Sequence, residues 1–391
     1  MSKRVPLEGS FAVAEAVKLA DTEVIAAYPI TPQTHIVERL SEMVANGELD
    51  AEFICVESEH SAMSACLGAS AVGARTFTAT AGQGLELMHE VLYVASSSRL
   101  PIVMAVANRA LSGPLNVWGD HSDAMATRDC GWIQFFVENA QEAFDLVLCA
   151  FRIAEDPKVL FPVMVHLDGF NVSHVVEPVC LLEKERVKEF IPPFRYPYPL
   201  DPERPVTMGA FAPPNLYIEA KKAQDVALRG TKSTIVKVWE EFGKRFGRRY
   251  SPIESYYSED AETVLLLMGS FAETATIAVD NLRKKGEKVG LIRLRLWRPF
   301  PFQELRESIK GIKNLIVFDR CLSFGGPGGP VASELKAAFY AQEDRPRIVN
   351  FIGGLGGRDV IPEQFEEMFI KGKELLDKGK ETEFEMIGVR E

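Results

Sequence analysis

Through residues 9 to 170 of this chain, short apolar runs alternate with stretches of helical pattern, and that rhythm limits the fold more than any other feature. The runs at 24–27, 53–56, 76–80, 102–107 and 163–166 are four to six residues long and read as buried strands. Such strands need cover on both sides, which a parallel sheet with crossover helices supplies. The helical stretch at 61–72 is rich in Ala, Gly and Ser, so neighbouring elements can approach closely. A doubly wound α/β sheet is the economical architecture.

The pattern breaks at residues 192–214, where eight prolines remove donors and fix dihedrals too often for a regular element. This stretch reads as a linker or wrapping arm, followed by helix-forming composition over 216–246. A second α/β block then begins, with strands at 263–268, 289–293, 314–319 and 348–351 and an amphipathic helix over 273–285 ended by Gly286. A length of 391 residues agrees with about two domains. The division expected is 1–185 for the first domain, 186–255 for the proline-rich linker and helical arm, and 256–391 for the second.

Composition excludes some roles. A net charge of −11 leaves no dominant basic surface for a nucleic acid. The apolar runs fall short of the ~20 residues that cross a bilayer, and residues 1–7 carry no signal-peptide core, so no membrane role is expected and the cytoplasm is the expected compartment. The six cysteines are scattered without a Cys-x-x-Cys pair, which fits buried free thiols and gives no iron–sulfur ligand set within this chain.

Five segments carry candidate chemistry. Tyr28-Pro29-Ile30-Thr31-Pro32 lies between a strand and a helix, which puts the Thr31 hydroxyl at the carboxyl end of the sheet, where open α/β folds bind ligands. Local pattern alone allows a plainer reading, in which Pro32 starts the helix and Thr31 caps it. Glu57-Ser58-Glu59-His60 precedes the small-residue helix. A carboxylate at a helix N-terminus is favourable in itself, but that accounts for one glutamate of the pair, and a second that points into the protein needs a proton-bearing partner. Ala79-Thr80-Ala81-Gly82-Gln83-Gly84 opens another helix with two glycines, suited to close approach by a flat group or to a tight helix entry. Gly119-Asp120-His121-Ser122-Asp123 clusters possible ligands, but turn capping or an ion pair with Arg128 accounts for both aspartates and no metal site is assigned. The glycines at 325–329 fit a phosphate-binding turn or a strand-to-helix turn.

Taken in order, YPITP, VESEH, TATAGQG and ANRALSGPLNVWGDHSDAMATRDCGWIQ resemble the pyrimidine-binding domain of the pyruvate:ferredoxin oxidoreductases, within the 2-oxoacid:ferredoxin oxidoreductase family, and RLRLWRPFP and GGLGGRD resemble the second domain of its α subunit. The resemblance implies two doubly wound, mostly parallel α/β domains, one of the thiamine-diphosphate pyrimidine-binding type and one like a transketolase C-terminal domain. It further implies an enzyme that decarboxylates pyruvate to acetyl-CoA and CO₂, reversibly, passing electrons to ferredoxin. By position, Glu59 matches the glutamate that activates the aminopyrimidine ring. Thr31 and Arg109 match residues that hold the substrate carboxylate and carbonyl, and Val117 matches an apolar contact to its alkyl group. Pro29, Gly82 and Gln83 are assigned to the cofactor. No Gly-Asp-Gly tripeptide occurs, so the diphosphate end, with Mg²⁺, is expected on a β subunit. The [4Fe-4S] clusters are likewise expected on partners, including a γ and a ferredoxin-like δ subunit, with CoA as co-substrate. Alternatives are another 2-oxoacid such as 2-oxoisovalerate, or a noncatalytic assembly subunit.

Overall fold

A computed structural model describes residues 3–380 and 384–390. Its strands are β1 (Lys3–Glu8), β2 (Val24–Ala27), β3 (Glu52–Cys55), β4 (Thr76–Thr80), β5 (Ile102–Asn108), β6 (Ile133–Phe136), β7 (Val163–Asp168) and β8 (Val176–Leu181), followed by β9 (Ile253–Tyr256), β10 (Thr263–Leu267), β11 (Val289–Leu294), β12 (Leu296–Arg298), β13 (Asn314–Asp319), β14 (Arg347–Ile352) and β15 (Phe384–Met386). Two sheets carry the fold, with strand orders β12-β6-β7-β5-β4-β2-β3 and β15-β14-β13-β10-β11-β9. Both are parallel except at one edge, where β12 runs antiparallel to β6 and β9 to β11. Strands β1 and β8 form a separate antiparallel ribbon. These are the two doubly wound, mostly parallel sheets expected from the apolar rhythm.

Helices cover both faces of the first sheet. Gly9–Leu19, Thr34–Ala45 and Ala140–Ala154 pack on one side, and Glu59–Ala71, Gly82–Leu87 and His89–Ser97 on the other. Local chemistry sets their starts. Asn139 accepts the Glu142 amide while Glu142 reaches back to the Glu138 amide, fixing the entry of Ala140–Ala154. Ser58 accepts the Ser61 amide, so the small-residue helix begins at Glu59, two residues before the expected 61. The helix that follows β2 crosses one face to reach β3, and the chain returns over the other face to β4. A crevice therefore opens between the carboxyl ends of β2 and β4, the point at which such sheets bind ligands.

The proline-rich stretch wraps onto the first unit. Leu200 donates to the Ala71 carbonyl and Tyr196 is buried among the residues that cover the 59–71 helix. Of the two helices after it, Lys232–Phe246 buries Trp239 against Phe135, their ring centroids 5.0 Å apart. Burial of an indole contributes about 4–6 kcal/mol of apolar transfer free energy, so Trp239→Ala would strip this helix from the sheet. The other helix, Pro214–Gly230, buries no residue. None of the described helices is long and apolar enough to cross a membrane.

Strand β12 is the main departure from sequence expectation. It lies in the RLRLWRPFP stretch, beyond the arm, yet extends the first sheet. Around this seam Arg295 pairs with Glu142 at 2.6 Å and Arg293 with Glu138 at 2.9 Å, while burial pushes the Glu138 carboxyl up to about 8.

Candidate functional site

Four candidate residues end up at the carboxyl edge of the first sheet. Thr31 follows β2, Glu59 follows β3, Gly82 follows β4 and Arg109 follows β5. Glu57 faces solvent and accepts the Ser61 hydroxyl, whereas Glu59 is 5% exposed. Of the two glutamates, Glu59 is thus the one that points inward. No described residue gives its carboxylate a hydrogen bond or an ion pair.

Gly84 shows what the space around Glu59 is shaped for. A Cβ built there would stand 2.6 Å from both Glu59 Oε1 and Thr80 Oγ1, so any side chain at this position would strike them. The Thr80 hydroxyl is itself buried without a partner. The bare backbone of Gly84 thus makes room for the Glu59 carboxylate and the Thr80 hydroxyl, and the buried hydroxyl left without a partner costs about 1–3 kcal/mol. A flat ring bearing a protonated nitrogen fits this donor set.

Arg109 is not the surface arginine that local pattern alone suggests. It is 8% exposed, with Nε donating to Asn116 O at 2.9 Å and Nη1 to Thr31 O at 3.1 Å. Burial pulls its pKa below the usual arginine value, opposed by the Asp123 charge. Its Nη2 donates to no described residue. Gly82 starts its helix at φ +46°, and a Cβ there would meet the Arg109 stem at 3.1 Å. Thr31, Gly82 and Arg109 are thereby brought into one contact group, with Val117, half-buried, beside Asn116. Thr31 does not cap a helix, since Thr34–Ala45 begins after Gln33. Pro29 is exposed on the same loop. Gln83 lies in the glycine turn with both amide atoms buried and unpartnered.

The Gly119–Asp123 segment corrects one expectation, since neither aspartate pairs with Arg128, which lies beside Asp129 and Glu334. Asp120 caps the turn by accepting the Ser122 amide and hydroxyl, and also takes the Gly356 amide at 3.0 Å, from the second block. Asp123 is fully buried and accepts the Gly82, Arg109, Asn108 and Ala124 N–H groups. His121 donates toward Asp168 at 2.8 Å, and Asp168 also takes Arg320 at 2.6 Å and the Ser270 amide and hydroxyl. Despite the desolvation that opposes it, the Arg320 and His121 partners hold the Asp168 carboxyl well below the usual range. Asp168 is thus fully engaged in fastening the two blocks together.

Sequence reasoning missed two neighbours of Gln83. Glu86 and His89 follow it at intervals of three across two consecutive short helices; Glu86 Oε2 and His89 Nδ1 lie 3.6 Å apart, while Glu86 Oε1 and His89 Nε2 are buried and unpartnered. Burial, reinforced by the Asp123 charge, raises the Glu86 carboxyl to about 7. Leu87, Tyr93 and Val94 are exposed on the same two helices. The interval of three was the signal available in the sequence.

Residues 15–239 match the model of the pyruvate flavodoxin/ferredoxin oxidoreductase thiamine-diphosphate-binding domain, and 261–365 that of pyruvate:ferredoxin oxidoreductase core domain II. The pyruvate synthase subunit PorA of Methanocaldococcus jannaschii is 51% identical over 90% of this chain and 91% of its own length. The ketoisovalerate oxidoreductase subunit VorA of Pyrococcus abyssi is 47% identical over 96% of this chain and 94% of its own. Among solved structures, the 2-oxoglutarate:ferredoxin oxidoreductase from Magnetococcus marinus superposes with a TM-score of 0.73 at 21% identity, covering 95% of this chain and 65% of that one, a likeness of fold. With both blocks matched in order and a full-length relative at half identity, this chain belongs to the pyruvate flavodoxin/ferredoxin oxidoreductase family.

Proposed function

We propose that this chain is the α subunit of a CoA-dependent pyruvate:ferredoxin oxidoreductase, and that it contributes the pyrimidine half of a thiamine-diphosphate site shared with a second subunit. The carrying observation is Glu59, a buried carboxylate with no described donor, facing the bare backbone of Gly84. Thiamine diphosphate, when bound, supplies the nucleophilic carbon and the electron sink for loss of CO₂.

Within this reading, Glu59 accepts a hydrogen bond from a ring nitrogen and so holds a proton where the amino group of the pyrimidine needs it to become basic. Thr80 and Gln83 satisfy their buried polar groups on the same ring, and Pro29 and Gly82 shape the loops that border it. Arg109 grips the substrate carboxylate through Nη2, oriented by its bonds to Thr31 and Asn116, while the Thr31 hydroxyl serves the carbonyl and Val117 the alkyl group. A single anchored arginine suits a monocarboxylic 2-oxoacid, which favours pyruvate.

The partners follow from what this sequence lacks. Without a Gly-Asp-Gly segment or clustered cysteines, the diphosphate, Mg²⁺ and [4Fe-4S] clusters fall to β, γ and ferredoxin-like δ subunits, with CoA as co-substrate and ferredoxin as acceptor. The unsatisfied Glu86 and His89 atoms favour a polar partner surface over that helical face. Residues 1–185 would form the pyrimidine-binding domain and 256–391 the transketolase C-terminal-like domain, joined by the arm at 186–255. Cytoplasmic residence belongs to the same reading, since the buried free thiols of Cys66, Cys130, Cys149 and Cys321 suit a reducing compartment.

The test is ferredoxin reduction by the complex purified with its co-expressed partners. Pyruvate with CoA should support turnover and the isolated chain should not; turnover with 2-oxoisovalerate but none with pyruvate would replace the substrate, and no turnover with any 2-oxoacid would favour an assembly subunit.

A further inference from the structure

Asp123 is a buried anion that forms no ion pair with any described residue. Such a group is costly to bury unless several donors stabilise it. Four N–H donors converge on it: Gly82 N and Arg109 N at 2.9 Å on Oδ2, and Asn108 Nδ2 at 2.8 Å and Ala124 N at 2.7 Å on Oδ1. Each carboxylate oxygen accepts two. The two amides on Oδ2 belong to different crossovers, one opening the glycine turn after β4 and the other starting the loop after β5. Arg109 then lies with its stem against Gly82, at the distance where even a methyl group would press on it.

We propose that Asp123 is a positioning residue, which fixes the Arg109 guanidinium over the Gly82 turn and so sets the place at which the 2-oxoacid carboxylate is held. This rests on the assignment of Arg109 to the substrate carboxylate. The shared oxygen ties the segment under the ring site to the segment that carries the arginine, so a displacement of one is transmitted to the other. Asn108 offers a natural control. Its Oδ1 is buried without a partner, so in Asp123→Asn the amide oxygen can keep the two backbone amides now on Oδ2 while the NH₂ reaches Asn108 Oδ1 once that amide turns, and only the Ala124 N–H loses its acceptor.

The experiment is steady-state kinetics of the assembled complex with varied pyruvate. Asp123→Ala should raise KM about tenfold or more, the scale of a lost charge-assisted hydrogen bond, and Asp123→Asn should restore it to within about threefold of the parent. A merely structural role would lower the active fraction, reducing kcat at unchanged KM. In an Arg109→Lys background, Asp123→Ala should add less than about twofold, because both act through one group. An unchanged KM in the assembled Asp123→Ala complex, or full additivity, overturns the proposal. Arg109→Lys alone separates the assignments: an unchanged KM there removes the role of Arg109 and the proposal with it, whereas a raised KM there with none in Asp123→Ala removes Asp123 alone. Should Asp123→Ala fail to assemble, Gly82→Ala presses on the Arg109 stem directly and should raise the pyruvate KM in the same direction; an unchanged value overturns the proposal equally.

Discussion

Each of the two sheets carries a buried carboxylate near the carboxyl end of a strand, beside a glycine turn that opens a helix, and the two are treated in opposite ways. In the second sheet, Asp319 at the end of β13 accepts the Val331 amide at 2.9 Å, the Ala332 amide at 3.1 Å and Asn350 Nδ2 at 2.9 Å. Gly329 packs against it so tightly that a Cβ would lie 2.1 Å from its carboxyl carbon. The helix that follows the glycines at 325–329 therefore has its Val331 and Ala332 amides met by this carboxylate, and Gly329 N donates to Asn350 Oδ1, as a strand-to-helix turn requires. In the first sheet, Glu59 has the same setting and none of the donors. The same architecture thus yields a structural cap where the acceptors are filled and a site where they are left open.

Substitution at the two carboxylates should separate these roles. Glu59→Gln removes the group that shares a proton with the ring, and the turnover of the assembled complex should fall at least about 10²-fold, the scale of positioned acid–base catalysis, with assembly intact. Turnover within a few-fold of the parent would end the proposed role. Asp319→Asn should act in the other sense. Turning an NH₂ toward backbone amides costs about 1–3 kcal/mol, read as a fall of several degrees in the thermal midpoint, while the KM for pyruvate stays unchanged. A raised KM with an unaltered midpoint would erase the distinction between the two sites.

What the sequence disclosed, and what it hid, divides along the same line of local against distant interaction. β2 and β5 were legible because each is an apolar run whose burial on two faces is written into its own residues, and β4 because β-branched threonines alternate with Phe77 and Ala79. β6 was not, since the buried Gln134 breaks its pattern and its edge neighbour β12 arrives from the far side of the arm. β1, β8 and β9 alternate or mix polarity and carried no comparable signal. Glu59 was legible from its inward position and from the family resemblance together. Asp123 was misread because its partners Gly82 and Arg109 stand 41 and 14 residues away, whereas Arg128 is near in sequence and engaged elsewhere. Glu86 was missed for a related reason, as a single glutamate on a helix reads as a solvated face until its surroundings are known.

Glu86 gives the smallest effect, and it tests whether the open face beside the first carboxylate is an interface. Its carboxyl, raised to about 7 by burial and the Asp123 charge, is still partly exposed in the isolated chain. A partner that covers it with uncharged groups would raise it further, because desolvation penalises the charged form. The bound state then holds the proton more tightly than the free state, so association takes up a proton above about pH 7 and weakens as pH rises; below that value the group is protonated in both states and the dependence vanishes. Discounted for solvent screening, the dissociation constant of the diphosphate-binding subunit should rise about two- to threefold between pH 7 and pH 8, and Glu86→Gln should flatten that slope. Parallel pH curves for the parent and Glu86→Gln, measured by titration of one purified subunit with the other, would mean that the partner leaves this helical face uncovered.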